Sequence, residues 1–154
     1  MYTIRQITRY EWSWLKSSDF HDLFSQLTKT SLMTDATFKE WFIKTLNNPK
    51  NNMYGVISDT YNQTKLVGLG VLLIEEKYYR GKNDKPGKCG HIEDIIIDKE
   101  HRGRLLGQRL LTFIKENAKE RNCYKIQLHC DPKLENFYKK LNFTSTKSSM
   151  EIYL

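Results

Sequence analysis

The chain has 154 residues, 39% hydrophobic and 28% charged, with 8 glycines and 3 prolines, which fits one compact domain and leaves little room for two. Aromatic residues at 12% are too many for a disordered chain, and the longest apolar run, Val67 to Ile74, falls far short of the roughly 20 residues of a transmembrane helix. Twenty-five Lys and Arg against 18 Asp and Glu give a net charge of +7, which invites a polyanionic or phosphate-bearing partner without choosing among them. The start, Met1-Tyr2-Thr3-Ile4-Arg5, lacks the apolar core of a signal peptide. Cys89, Cys123 and Cys130 are odd in number with no C-x-x-C pair, so neither a disulfide framework nor a zinc knuckle is expected and a reducing, cytoplasmic setting is.

Tyr2 to Ile7 alternates with period two and predicts a first strand. Trp12, Leu15, Phe20, Leu23, Phe24 and Leu27 recur mostly at three- and four-residue steps, predicting one helix with a buried face. Thr34 or Asp35 can cap a second helix with Phe38, Trp41, Phe42 and Leu46 on its face, ended by Asn47-Asn48-Pro49. The tryptophans Trp12, Trp14 and Trp41 are expected in the core. Two strands follow, Asn52 to Ser58 and Leu66 to Ile74, around a turn at Asp59 to Thr64.

Glu75 to Lys88 carries five basic and three acidic residues with Gly81 and Pro86 as breakers, and reads as a solvated loop, or as one that steers anionic substrates. His91 to Asp98 predicts a β-branched strand that leads through Arg102-Gly103 into a helix with Leu106, Leu110, Ile114 and Ala118 at strict four-residue spacing. Cys123 to Leu128 predicts another strand, Asp131-Pro132 a further helix, and Ser149 to Leu154 a final strand. The resulting fold class is α/β: a mixed central sheet of about six strands with helices on both faces. The strands at His91 and Tyr124 should be parallel across a β-α-β crossover.

A strand feeding a helix through an Arg- and Gly-containing loop aims several backbone N–H groups at the positive end of a helix dipole, and such a spot holds a phosphate or pyrophosphate. An ordinary strand-to-helix turn with solvated arginines is the alternative. The passage Arg102-Gly103-Arg104-Leu105-Leu106-Gly107 resembles the acetyl-coenzyme A pyrophosphate loop of the GCN5-related N-acetyltransferase superfamily, whose pattern is Arg/Gln-x-x-Gly-x-Gly/Ala. Arg102 and Gly107 match its ends, while Leu105 stands in place of its middle glycine. Within that superfamily, Gly90-His91-Ile92-Glu93-Asp94-Ile95, Cys123-Tyr124-Lys125-Ile126-x-Leu128 and Phe137-Tyr138-x-Lys140-x-x-Phe143 are similar to the glucosamine-6-phosphate N-acetyltransferases, as is Leu27-Thr28 with Thr34 and Phe38. Departures are His129-Cys130 where the family has an aspartate before the cysteine, Leu134 for an asparagine, and Tyr153 for a C-terminal arginine.

The resemblance implies a single N-acetyltransferase domain over residues 1–154, using acetyl-CoA and no metal, as a homodimer acting on a sugar phosphate without nucleic acid or membrane. Acetyl transfer from a thioester to an amine needs a neutral amine, a polarised carbonyl, a proton for the departing thiolate and close alignment. Strand parity puts Glu93, Ile95 and Ile97 on one face and Asp94, Ile96 and Asp98 on the other, so the adjacent carboxylates have different tasks. By resemblance Glu93 orients the sugar, the Asp94 carbonyl accepts from its amine, and the Ile95 N–H polarises the thioester. Ile96, Ile97 and the loop from Arg102 to Gly107 line the cofactor, Tyr138 supplies the proton, and Thr28 and His91 belong to the substrate site. Otherwise Glu93 and Asp94 cap the exposed start of a strand and Tyr138 is packing. His129 is either a substrate ligand replacing the missing carboxylate or a strand-end histidine, and Cys130 is packing. The other readings are an acetyltransferase of a protein or another small amine, and a basic nucleic-acid-binding module, which the lack of an aromatic-basic stripe or recognition helix disfavours.

Overall fold

The computed structural model describes residues 1–61, 63–146 and 152. The strands β1 (Tyr2–Ile7), β2 (Asn51–Thr60), β3 (Gln63–Lys82), β4 (Lys85–Ile97) and β5 (Cys123–Leu128) form one sheet in the order β1-β2-β3-β4-β5. The first three pairings are antiparallel, and β4 and β5 are parallel across α3 (Leu106–Glu120), as the β-α-β order requires. The sixth strand expected at Ser149 to Leu154 lies outside the described residues.

The sheet separates two cores. On one side α1 (Ser17–Phe24) and α2 (Asp35–Asn47) bring Phe20, Leu23, Phe38 and Phe42 onto Ile7, Met53, Leu69 and Ile96. Thr34 caps α2, its hydroxyl accepting the Thr37 N–H at 3.2 Å, and the helix ends before Asn48-Pro49 as its sequence implies. On the other side α3 buries Leu106, Leu110, Ile114 and Ala118, with Leu111, against Tyr54, Val56, Leu72 and Ile92. A short fourth helix, α4 (Glu135–Lys139), follows a 3-10 turn at Pro132–Leu134 and adds Tyr138 to this second core.

Three expectations are corrected. The apolar spacing from Trp12 to Leu27 straddles a 3-10 turn at Glu11–Ser13 and α1, because Lys16 is extended and gives its N–H to the Asp19 carboxylate at 2.7 Å, starting the helix afresh. Trp12 is consequently 39% exposed, under the Lys39 ammonium 3.6 Å from its ring centroid, while Trp14 and Trp41 do pack on the core. Glu75 to Lys88 is no loop: β3 and β4 run through it as a hairpin closed by Asn83-Asp84, both at positive φ (53° and 59°). Its arms are largely exposed, so no alternation announced them, and Gly81, which read as a breaker, sits with Gly87 where the strands crowd. A Cβ on Gly81 would meet the Lys85 carbonyl oxygen at 1.9 Å, and one on Gly87 the Tyr79 oxygen at 2.4 Å. With β4 beginning at Lys85, Glu93 and Asp94 lie in its middle and cap no strand start.

The register places an extra residue there. Gly70 pairs with Ile95 and Leu72 with Ile92, so two steps of β3 oppose three of β4, a bulge spanning Glu93 and Asp94. Beyond it the parity is as expected, Ile95 and Ile97 facing α3 and Ile96 facing the other core; before it, Ile92 also faces α3. Because α3 carries the loop that precedes it on fully buried Leu110 and Ile114, Leu110→Ala should cost about 2–5 kcal/mol in urea unfolding, the range for an unrelaxed core cavity. A cost below about 1 kcal/mol would show that α3 is not clamped as described.

Candidate active site

Pairing between β4 and β5 ends at Ile92 with Leu128, yet β4 continues to Ile97 with only β3 beside it. Two local causes part the strands. The bulge at Glu93 and Asp94 bends β4, and β5 stops before His129-Cys130-Asp131-Pro132, where the Asp131 carboxylate accepts the Lys133 N–H at 2.9 Å and turns the chain aside. Among the described residues, the edge of residues 93–97 that faced β5 therefore has no strand against it, and its backbone groups are available to a bound chain.

At the fork, Glu93 is exposed and Asp94 half-buried. Burial, and then the neighbouring Glu93 charge, push the Asp94 carboxyl above the usual carboxylate range. His91, just before the bulge, has both ring nitrogens engaged. The Gln127 amide nitrogen can only donate, so His91 Nδ1 accepts from it at 3.1 Å and Nε2–H donates to Glu75 at 2.8 Å. Glu75 is held below its ordinary value by hydrogen bonds from Lys77 and then His91. Chained this way, Glu75, His91 and Gln127 link β3, β4 and β5 one residue pair before the fork.

Past β4, the Asp98 carboxylate accepts the Glu100 N–H at 2.9 Å and starts a 3-10 turn, Lys99–His101, and Arg102 Nε donates back to the Ile97 carbonyl at 2.9 Å. Gly103 has φ 75° with open space around it. Leu105 is left-handed too, φ 59° and ψ 11°, a conformation that costs a leucine roughly 1–2 kcal/mol and that the family's glycine would take freely. It precedes α3 without a side-chain cap, the first turn holds no acidic residue, and no acceptor among the described residues takes the backbone N–H groups of residues 103–108. Gly107 lies in the first turn of α3 against Phe137 and Ile97, where a Cβ would make ordinary contacts at 3.4 and 3.7 Å. Unclaimed N–H groups at the positive end of a 15-residue helix, with Arg102 and Arg104 beside them, fit a pyrophosphate.

Tyr138 is buried edge-on between Phe137 and Phe143, with ring centroids 5.1 and 5.8 Å away. Burial, with a smaller push from Cys130, raises its hydroxyl above the usual tyrosine value. It shares a cavity of about 1110 Å³ with Leu128, His129 and Cys130, between α3, β5 and α4. Glu93, Asp94 and the loop from Arg102 to Gly107 are not on that wall, so this hollow is not the fork itself; Thr146, the last residue before the undescribed segment, borders it. Thr28 is exposed in a shallow dent with Ser25, Lys29, Thr30 and Ser31, and the Gln26 side chain, accepting the Lys99 N–H at 2.9 Å, ties the end of α1 to the end of β4. Sequence reasoning missed Gln26, Glu75 and Tyr2, whose contacts join distant segments, and Gln127, legible only as the polar position between Ile126 and Leu128.

This fork beside a helix N-terminus is the arrangement of an acyltransferase that works with a phosphate-bearing carrier, and the chain belongs to the acetyltransferase (GNAT) family, whose model matches residues 9–143. Among curated relatives it is 35% identical to glucosamine 6-phosphate N-acetyltransferase 1 of Dictyostelium discoideum over 149 residues, covering 91% of this chain and 88% of that one. It is 31% identical to glucosamine 6-phosphate N-acetyltransferase 1 of rice over 137 residues, 89% of this chain and 80% of that one. The crystal structure of glucosamine-6-phosphate N-acetyltransferase from Arabidopsis thaliana superposes with a TM-score of 0.82 at 28% identity, over 99% of this chain and 98% of that one.

The raised Asp94 carboxyl has a stability consequence. Folding penalises its charged form, so stability is lost as pH rises from the unfolded value near 3.8 through the higher folded value. Asp94→Asn should therefore raise the melting temperature at neutral pH, and the gain should vanish at or below about pH 3.8, where the carboxyl is protonated folded and unfolded. A loss of stability at neutral pH, measured by calorimetry, would contradict the desolvated environment described.

Proposed function

We propose that this chain transfers the acetyl group of acetyl-CoA to the 2-amino group of D-glucosamine 6-phosphate by direct attack, giving N-acetyl-D-glucosamine 6-phosphate for amino-sugar (UDP-GlcNAc) synthesis. The observation that carries this reading is the unpaired edge of β4 lying between paired carboxylates and unclaimed helix N–H groups. The shared name of the relatives supplies the acceptor.

Acetyl-CoA brings its acetyl group as a thioester. Residues Ile95, Ile96 and Ile97 hold its extended arm by backbone groups, and Arg102, Gly103, Arg104, Leu105, Leu106 and Gly107 receive its pyrophosphate. The Ile95 N–H polarises the carbonyl that is attacked. Glu93, in water at the bulge, orients the sugar, and the Asp94 backbone carbonyl accepts from the amine, keeping its lone pair aimed at the carbonyl carbon. The attack forms a C–N bond and breaks the C–S bond, Tyr138 gives its hydroxyl proton to the departing sulfur, and the proton that the new amide nitrogen loses returns through solvent to the tyrosinate. The raised pKa of Tyr138 keeps the hydroxyl proton in place at neutral pH. Thr28 and His129 complete the sugar site; His91, both nitrogens engaged, acts there by holding Gln127 and Glu75. No residue set here is assigned to a metal. The working unit is one acetyltransferase domain spanning 1–154, cytoplasmic and homodimeric, with neither nucleic acid nor membrane as partner; no helix among the described residues is long and apolar enough to cross a membrane.

Thiol release from acetyl-CoA should be fastest with glucosamine 6-phosphate, exceeding glucosamine by about 10- to 100-fold in kcat/KM, the scale of lost hydrogen bonds to a charged group. A lysine peptide accepting equally well would overturn the sugar assignment. Tyr138→Phe should lower kcat by about 10²- to 10⁴-fold and leave coenzyme A affinity nearly unchanged. Wild-type turnover in that variant would reduce Tyr138 to packing.

A further inference from the structure

The left-handed Leu105 is strained, and nothing about its own side chain explains why it stays so: it is 65% exposed and caps nothing. Its neighbours are held from outside the loop. Arg104 Nη1 donates to the Tyr2 hydroxyl oxygen at 2.7 Å, and the same oxygen lies 2.9 Å from His101 Nδ1. A guanidinium only donates, so the hydroxyl accepts from Arg104 and hydrogen-bonds His101 with its remaining capacity. The Tyr2 ring meets the His101 ring edge-on, with centroids 5.7 Å apart, and the Arg104 guanidinium carbon lies 5.9 Å from the Tyr2 centroid. Tyr2 itself is fixed by the sheet, paired with Ser58 of β2. One side chain on the first strand thus pins the loop at two points, 101 and 104, that bracket Gly103 and adjoin Leu105.

We propose that Tyr2 is the positioning residue of the anion-binding loop. By fixing His101 and Arg104 it holds Leu105 left-handed and keeps the N–H groups of residues 103–108 converging, which a glycine at 105 would allow without a brace. The inference rests on the reading of this loop as the coenzyme's pyrophosphate site. Without the brace the loop relaxes, and a ligand must then restore the strained form at its own cost. With glycine at that position there is little strain to restore.

A double-mutant cycle with Tyr2→Phe and Leu105→Gly tests this, because the phenylalanine keeps the ring and its packing. In titration calorimetry with coenzyme A, Tyr2→Phe should weaken binding roughly 5- to 30-fold in the parent chain, equal to about 1–2 kcal/mol at 1.4 kcal/mol per decade. In the L105G background the loss should shrink to about twofold or less. The ligand-free protein should show the opposite order: Tyr2→Phe lowers the melting temperature less in the parent, where lost bonds are offset by relieved strain, than in L105G. Equal affinity losses in the two backgrounds, or none in either, would overturn the brace. If the parent chain binds no coenzyme A, the site reading fails, while the order of the two melting-temperature drops still decides for or against the brace.

Discussion

One extra residue in the middle of β4 is the constraint on which the site depends. A regular strand would keep both neighbours along its length and leave no backbone group for a ligand. The bulge at Glu93 and Asp94 bends β4 just where β5 ends, so its last residues keep β3 on one side and lose β5 on the other. The same insertion restores Ile95 and Ile97 to the α3 core while turning Ile96 to the opposite one, which anchors the exposed edge through three buried or half-buried isoleucines. Hydrogen-bonding capacity is thus presented on a rigid support, at little entropic cost to binding.

The electrostatics follow from that geometry. Asp94 is partly withdrawn from water beside Glu93, so negative charge at the fork is expensive, whereas the α3 terminus has an unmet demand for it. On the proposed reading, the amine acceptor meets the fork end of the site and the phosphate-bearing carrier the α3 end. Strain at Leu105 sits at the second of these ends, and the fully buried Leu110, Leu111 and Ile114 keep the helix behind it from yielding.

What could be read from the sequence was what depends on local periodicity. The β-branched run from His91 to Asp98 marked the later part of β4, Leu106, Leu110, Ile114 and Ala118 the helix face, and Thr34 the start of α2, because each signal lies within a turn or two of the residue it places. The β3–β4 hairpin was illegible because its arms are exposed at most positions, which removes the alternation that marks a half-buried strand. Trp12 was misplaced because the extended backbone at Lys16 breaks a spacing that otherwise reads as continuous. Glu93, Asp94 and Tyr138 were singled out by motif. The bulge and the contacts of Tyr2 with residues 101 and 104 arise from register and tertiary pairing, for which a single sequence carries no short-range mark.

The account stands most directly on where the coenzyme meets the backbone. Amide hydrogen exchange with and without coenzyme A reads this residue by residue. Slowed exchange concentrated at residues 93–97 and 103–108 is the predicted result. Coenzyme binding that leaves both segments unchanged would contradict it.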